Sequence, residues 1–155
     1  MRWNGPDGFW ASDEADLVDV AWVHDWLSNN AYWALRRPFD VVARSIANSL
    51  VLGVYSPEAR QVGFARFVTD RATFAWLCDV FVDSHRQHAG LGSFLVETAI
   101  AHPEVADMRI VLAAAPERTL YRRQGFVTLP KPERWMEYLP AKLAGVPGQG
   151  SGYTR

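Results

Sequence analysis

The stretch Asp79-Val-Phe-Val-Asp-Ser-His-Arg-Gln-His-Ala-Gly-Leu-Gly-Ser-Phe-Leu-Val96 joins a buried strand to a helix through a turn that contains two glycines. Residues 74–82 form an almost unbroken run of apolar, aromatic and β-branched side chains, which predicts a strand covered on both faces and ending at Asp83. Beyond the turn, apolar and small side chains recur with helical spacing from Gly90, and Pro103 ends the helix. These side chains are Leu91, Phe94, Leu95, Thr98 and Ala99.

The turn itself, Gln87-His-Ala-Gly-Leu-Gly92, has the composition of a phosphate-binding loop. Because glycine lacks a Cβ, backbone N–H groups can point inward there, and the dipole of a helix N-terminus favours an anion. The alternative is glycine that only shapes the turn. A Walker loop is excluded because Ser93-Phe94 stands where Lys-Ser/Thr is required, and a dinucleotide loop because Leu95 replaces its third glycine.

The spacing Gln-x-x-Gly-x-Gly resembles the pyrophosphate loop of the GNAT superfamily of N-acetyltransferases. A second motif, Tyr121-Arg-Arg-Gln-Gly-Phe126, is similar to the Tyr-x-x-x-Gly-Phe sequence at the end of the fourth GNAT helix. The resemblance extends over about residues 16–139, and segment 27–38 is similar to small single-domain bacterial GNAT proteins of unassigned substrate. Many members carry Asn and Ala ahead of the tyrosine, where this chain has Ala114 and Glu117, so no asparagine contact to the cofactor is carried over.

The bulk composition is that of an ordinary globular protein. The 155 residues include 16 basic and 17 acidic side chains, and no basic block exceeds two residues, so neither nucleic acid nor an anionic membrane is an expected partner. Cys78 is the single cysteine, which excludes an internal disulfide and a Cys-rich metal site. The chain shows no apolar leader and no stretch of membrane-spanning length, so we expect a cytoplasmic protein.

The element pattern predicts an α/β (α+β mixed) GNAT fold with the order β-α-α-β-β-β-α-β-α-β-β. The central sheet is expected to be mixed, mostly antiparallel, of six to seven strands, with helices on both faces. A single domain is predicted over residues 1–144, with residues 1–8 irregular and a disordered glycine-rich tail at 145–155. The predicted strands are 9–12, 50–55, 61–69, 74–82, 109–113, 126–128 and 134–139, and the predicted helices begin near residues 16, 39, 90 and 117.

The resemblance implies that acetyl-coenzyme A is the co-substrate and that its acetyl group is transferred to a primary amine by direct attack in a ternary complex. The acceptor is a small-molecule or peptide amine, and a small amine, an amino acid, an antibiotic, a peptide N-terminus and a lysine side chain are all compatible with the sequence. Chemistry supports this placement independently, since an exposed strand edge can pair with the pantetheine amides and a backbone N–H near Val80 can polarise the thioester carbonyl. The expected coenzyme-binding residues are Val80, Phe81, Val82, Gln87, His88, Ala89, Gly90, Leu91, Gly92 and Ser93.

Two residues are candidates for catalysis. Asp79 is a lone carboxylate in an apolar run and is the candidate general base, the alternative being a pair with Arg66 that fixes the sheet. Tyr121 is the candidate acid for the departing thiolate, the alternative being a tyrosine packed on the sheet. A phenol of pKa about 10 protonates a thiolate of pKa about 8.5 only at a cost of about 2 kcal/mol, so hydrogen bonding to the thiolate is the expected role.

The acceptor site is predicted from the link between the first two helices, which overhangs it in this fold. Tyr32 and Trp33 are expected to line it, as an aromatic wall suited to an apolar or cationic amine, the alternative being core packing. Arg66 is a candidate for binding a substrate carboxylate, and a surface arginine on a strand is the equal alternative. Trp22 and Trp26 are assigned to the core. Cys78 is expected to be inert in its apolar strand.

Several questions stay open at this stage. No pair of His24, His85, His88 and His102 has the context of a metal site, so no metal is predicted.

A non-catalytic acyl-CoA-binding sensor or interaction module on the same fold is the second hypothesis, and transfer of a propionyl or succinyl group is the third. Dimers are common among GNAT proteins, which makes a homodimer compatible with the resemblance.

Overall fold

The computed structural model describes residues 1–83, 90–115 and 118–141, and within them the chain forms one mixed sheet of six strands flanked by four helices. The predicted Gln87, His88, Ala89 and tail 145–155 lie outside the described residues. The strands are β1 (Arg2–Asn4), β2 (Trp10–Ser12), β3 (Leu50–Tyr55), β4 (Gln61–Thr69), β5 (Phe74–Val82) and β6 (Arg109–Val111). The helices are α1 (Val20–Asn30), α2 (Phe39–Ala47), α3 (Leu91–Ile100) and α4 (Thr119–Arg123), and short 3₁₀ turns cover Pro6–Gly8, Ala15–Leu17 and Pro132–Arg134.

The strands lie in sequence order across the sheet, from β1 to β6. Neighbours are antiparallel except the last pair, β5 and β6, which run parallel because α3 carries the chain across the sheet between them. Their parallel pairing covers only Phe74–Arg109, Ala75–Ile110 and Trp76–Val111. The two strands therefore separate beyond Trp76.

Each face of the sheet has its own apolar core. One core lies beneath α3 and α4, and we call that side the α3 face; the other lies beneath α1 and α2, on the α1–α2 face. Helices thus cover both faces, as predicted, and β3, β4 and β5 are buried on both sides. Buried on the α3 face are Leu52, Val54, Phe67, Leu77, Val80, Val82, Leu91, Leu95 and Val96, and on the α1–α2 face Val23, Leu27, Val42, Ile46, Val51, Phe64 and Phe81.

A β-bulge interrupts β5 at Asp79. Phe64 pairs with Phe81 but Arg66 pairs with Cys78, so two residues of β5 stand opposite one residue of β4. Asp79 has φ 50, a left-handed conformation that aspartate tolerates better than most residues. Because of the extra residue, the α3 face of β5 carries residues 75 and 77 before the bulge and 80 and 82 after it.

The predicted strands Leu50–Tyr55, Gln61–Thr69 and Phe74–Val82 are confirmed to the residue, and the helix after Gly90 is also present. The predicted irregular start is wrong, because Arg2–Asn4 pairs with Trp10–Ser12 around a tight turn that contains Pro6. The predicted strands 126–128 and 134–139 are also wrong in the described structure. Val127, Met136 and Tyr138 are at least 82% exposed, so the apolar side chains of these two segments are not buried against the sheet.

Candidate active site

The open edge of β5 is the first component of the site. Beyond Trp76 no strand of the described chain pairs with β5 on the β6 side, which leaves one edge of residues 77–82 without a neighbouring strand. Val80 and Val82 point to the α3 face, while Phe81 points to the opposite face and stacks on Trp26 with ring centroids 3.9 Å apart. The end of β5 is therefore packed against an apolar core on each face of the sheet.

The N-terminus of α3 lies where the chain returns from this edge. Gly90 precedes the helix with φ 69, and the Phe94 N–H makes the first intrahelical bond to the Gly90 carbonyl at 3.1 Å. The N–H groups of Leu91, Gly92 and Ser93 consequently have no partner within the helix and are available to an anion. Among the described residues, a Cβ built on Gly92 would meet only Leu120, at 3.7 Å, so that part of the chain leaves the first turn uncrowded.

Asp79 is the centre of a buried polar cluster on the α1–α2 face. Its carboxylate accepts hydrogen bonds from Arg66 Nε at 2.7 Å, Arg37 Nη1 at 3.2 Å and Trp33 Nε1 at 3.0 Å. Arg37 Nη1 also lies 3.4 Å from Oδ1, so each oxygen faces two donors. Since a carboxylate has about four lone-pair positions, its acceptor capacity is filled.

The link between α1 and α2 places Arg37 and Trp33 over this cluster. The Arg37 carbonyl accepts hydrogen bonds from Ser28 Oγ at 3.0 Å and from His24 Nε2 at 3.1 Å, which requires that the imidazole carries its proton on Nε2. Arg37 Nη2 donates to the Trp33 carbonyl at 3.3 Å. Hydrogen bonds at the Arg37 backbone therefore connect the end of the link to α1, and the side chains of Trp33 and Arg37 connect it to β5.

Tyr121 lies in the core of the α3 face, 8% exposed, with its ring edge-on to Phe126. Burial raises the pKa of its hydroxyl, and the Arg118 guanidinium opposes part of that rise through its charge and a hydrogen bond. The Arg118 guanidinium also lies 6.0 Å from the centre of the Trp33 ring, on which Tyr32 packs edge-on at 5.0 Å. Arg118 therefore connects the tyrosine to the aromatic link.

The sequence model of the family described as an acetyltransferase (GNAT) domain matches residues 48–128, more than half of the chain. The chain belongs to the GNAT family. A structurally similar protein, from Xanthomonas campestris and assigned to the GNAT family, is 34% identical with a TM-score of 0.83, covering 91% of this chain and 99% of the other. The predicted GNAT fold class is confirmed by these matches and by the mixed sheet.

Two further proteins extend the comparison. A Gibberella zeae protein named as an acetyltransferase is 26% identical over 63% of this chain, and the match spans 64% of that relative, less than two thirds of its length. The structure of a GNAT family acetyltransferase from Brucella melitensis was determined in complex with acetyl-CoA. It is 21% identical with a TM-score of 0.62, covering 77% of this chain and 83% of the other, which is a likeness of fold.

Most of the predicted site residues lie in two neighbouring groups, one around Asp79 and one in the core of the α3 face. Trp33 and Arg66 contact Asp79 directly, and Tyr32 packs on Trp33. Tyr121 shares the α3-face core with Val80, Val82 and Leu91. The core assignment of Trp22 and Trp26 is supported, because both rings pack on Phe81.

Three site residues were missed by sequence reasoning: Arg37, Arg118 and Ser49, whose Oγ accepts a hydrogen bond from Arg66 Nη1 at 3.1 Å. Arg37 follows Trp33 by four residues in the link that was already assigned to the acceptor site, and that spacing was the available signal. Nothing in the sequence distinguishes Arg118 from Arg122 and Arg123, because only its position before α4 turns it toward Trp33.

Cys78 lies beside the cluster but does not join it. Burial raises the pKa of its thiol to about 12, so the nucleophilic thiolate is suppressed, in agreement with the expectation that this cysteine is inert.

Two concavities, of about 260 and 570 Å³, lie elsewhere, against Tyr55 and along β6. In the ranges that the structure describes, no three potential metal ligands come together and no helix has the length and apolar character needed to span a membrane.

Proposed function

We propose that this protein transfers the acetyl group of acetyl-CoA to a primary amine by direct attack in a ternary complex. The observation that carries the proposal is the unpaired edge of β5 beside the uncrowded N-terminus of α3. The edge suits the two amides of a pantetheine arm, which can bind as an added strand would, and the helix N-terminus suits the pyrophosphate. The acetyl-CoA complex of the Brucella relative is consistent with this use of the fold.

In this proposal the two sides of β5 serve different ligands. The coenzyme occupies the edge and the α3 face, near Val80, Val82 and Tyr121, whereas the amine enters on the α1–α2 face beneath Tyr32 and Trp33. The amine nitrogen attacks the thioester carbon, the C–S bond breaks, and the amine proton passes to solvent. We assign the Val80 N–H to the developing oxyanion.

Tyr121 is proposed to donate a hydrogen bond to the departing thiolate. Because burial raises its pKa, the phenol is a weaker acid than usual, so full proton transfer is less favourable than hydrogen bonding. Arg118 adds a positive charge beside the hydroxyl. The two groups together favour the thiolate as a leaving group.

Asp79 is proposed to be a positioning residue. Its carboxylate already accepts four hydrogen-bonding contacts, and a proton could be received only by breaking one of them. This geometry supports the pairing with Arg66 that was considered beside the base role. The role of general base stays a prediction, and a kinetic test of it is given in the Discussion.

The test of the proposed function is calorimetric titration with acetyl-CoA. Gly92→Glu places a negative charge in the first turn of α3. There the carboxylate interacts favourably with the helix dipole, so the helix is not destabilised, but it repels a bound pyrophosphate. Gly92→Gln is the matched uncharged control. We expect micromolar binding by the wild type and by Gly92→Gln and a loss of at least about tenfold in Gly92→Glu, with unchanged circular dichroism. Absence of binding by the wild type would refute the proposal.

A further inference from the structure

The polar cluster around Asp79 contains more positive than negative charge. Arg37 and Arg66 both form ion pairs with the single carboxylate of Asp79. In the described residues, neither guanidinium forms any other ion pair. The side chains of Arg37 and Arg66 are 13% and 12% exposed, and that of Asp79 is 2% exposed. Within the described ranges, one positive charge is therefore left without a partner in a site largely shielded from water, where an unpaired charge is costly.

Both guanidiniums retain donors for a ligand. Arg66 uses Nε for Asp79 and Nη1 for Ser49, and its Nη2 has no hydrogen-bond partner among the described residues. Arg37 uses Nη1 for Asp79 and Nη2 for the Trp33 carbonyl, and its Nε likewise has none there. The cluster thus contains N–H groups on two fixed arginines that can donate hydrogen bonds to an oxygen anion.

The arginines are held in place before any ligand arrives. Arg66 lies on the central strand β4, and the Arg37 backbone is fixed by Ser28 and His24. A preorganised pair of guanidiniums binds an anion without the entropic cost of ordering two long side chains. Tyr32, 60% exposed, and Trp33 provide an aromatic surface beside the pair for the apolar part of a ligand.

We propose that the acceptor is an amine that carries a carboxylate, bound by Arg37 and Arg66 under the aromatic link. This inference rests on the proposed function and names its substrate class. A single surplus charge matches a carboxylate better than a doubly charged phosphate, and planar guanidiniums match carboxylate geometry. Asp79 adjoins Val80, to which the oxyanion is assigned, so the carboxylate and the reacting amine must be only a few bonds apart, as in a small amino acid. Polycationic amines are disfavoured by the surplus charge.

The experiment compares acceptors that carry an anionic group with their uncharged counterparts. Amino acids are assayed beside their carboxamides, and phosphoethanolamine beside ethanolamine, by release of free coenzyme A from acetyl-CoA. We expect kcat/KM to favour the acids over their amides by at least about a hundredfold. Equal rates for acids and amides would overturn the inference, and so would a stronger preference for phosphoethanolamine than for any amino acid.

Variants assign that preference to the two arginines. Arg37→Gln and Arg66→Gln remove the surplus charge, and we expect the acid-to-amide ratio to fall toward about one, mainly through KM, while Arg66→Lys keeps part of it. Arg44→Gln, on the exposed face of α2, is the matched control. If Arg66→Gln does not fold, Asp79→Asn serves instead, since it raises the surplus to two charges and should improve the relative rate with phosphoethanolamine. An unchanged ratio in the folded variants would overturn the inference.

A binding measurement separates this inference from the proposed function. Calorimetry with N-acetyl amino acids and their amides, in the presence of coenzyme A, reports anion selectivity without turnover. Binding of acetyl-CoA combined with equal affinity for acids and amides would refute the substrate class alone. Selective binding of the acids that disappears in Arg37→Gln, without any acetyl transfer, would support the anion site and refute the enzymatic proposal.

Discussion

Arg66 and Asp79 meet across neighbouring strands, with Nε of the arginine 2.7 Å from Oδ2 of the aspartate. The arginine stands opposite Cys78 in the strand register, so the bulge at Asp79 is what brings the carboxylate to it. Bulges are known to redirect side chains next to active sites. Here the redirected carboxylate joins two strands and the α1–α2 link.

Removal of the carboxylate should be costly for stability. Asp79→Ala leaves two largely buried guanidiniums without their counterion, and we expect the free energy of unfolding to fall by about 3–5 kcal/mol. Asp40→Ala breaks an exposed pair with Arg44 and should cost less than about 1 kcal/mol. Urea denaturation measures both. Similar small losses in the two variants would show that the cluster does not hold the fold.

Asp79→Asn distinguishes a positioning role from a base role. The amide keeps an acceptor for Trp33 or Arg66, so positioning predicts a changed KM for the amine with the pH profile of kcat retained. A general base predicts instead that kcat falls by about a hundredfold or more and that the acidic limb of the profile disappears. The measurement is the pH dependence of kcat and kcat/KM for both proteins.

Tyr121→Phe should lower kcat by about ten- to a hundredfold while acetyl-CoA affinity is retained, because only the hydroxyl is lost. In the wild type, burial raises the pKa of Tyr121, so its hydroxyl ionises at a higher pH than that of a free tyrosine. We therefore expect any loss of kcat from tyrosine ionisation to begin at a higher pH than it would for a solvent-exposed tyrosine. Steady-state kinetics up to pH 10 check both statements, and wild-type rates in a normally stable Tyr121→Phe would remove this residue from the mechanism.

Cys78 should resist alkylation in the folded protein. A pKa raised to about 12 from 9.0 reduces the thiolate at pH 8 by about a thousandfold. Iodoacetamide should label the native protein slowly and the urea-unfolded protein rapidly, as followed by mass spectrometry. Cys78→Ser should keep kcat within about twofold, and rapid native labelling would contradict the assigned environment.

The two glycines at the start of α3 should respond differently to alanine. Gly90 has φ 69, so Gly90→Ala should lower the free energy of unfolding by about 1 kcal/mol although no atom of the described residues lies within 4 Å of the added Cβ. In Gly92→Ala the added Cβ meets only Leu120 within that part of the chain, at an ordinary distance, so this variant should be neutral or stabilised by up to about 1 kcal/mol. Thermal denaturation of the pair tests the assignment.

The order of the central elements could be predicted because their patterns are local. The runs at β3, β4 and β5 and the helical spacing from Leu91 specify the elements without information about their partners. The strands expected near the C-terminus also had apolar content, but their side chains at Val127, Met136 and Tyr138 are exposed, so the local pattern did not lead to pairing in the sheet. The pairing of Arg2–Asn4 depended on a turn at Pro6 that carries no strong hairpin signal.

The candidate site was predictable where a motif or an unusual residue marked it. Asp79 and Tyr121 stand out in an apolar run and in a family motif, respectively, and Trp33 follows from the aromatic link. Arg37 and Arg118 were missed because their proximity to Asp79 and Trp33 is created by the crossing of distant segments. For Arg37 the spacing from Trp33 was a weak signal, whereas Arg118 carries no sequence mark of such a contact.

The extra residue in β5 is additional to the packing pattern of the strand. Without position 79, residues 77, 78, 80, 81 and 82 would alternate regularly, so Val80 and Val82 would still face the α3 side and Phe81 would still face Trp26. Neither apolar core therefore depends on the bulge. Deletion of position 79 would remove only the carboxylate that joins Arg37 and Arg66, so the bulge serves the polar cluster and not the packing of the sheet.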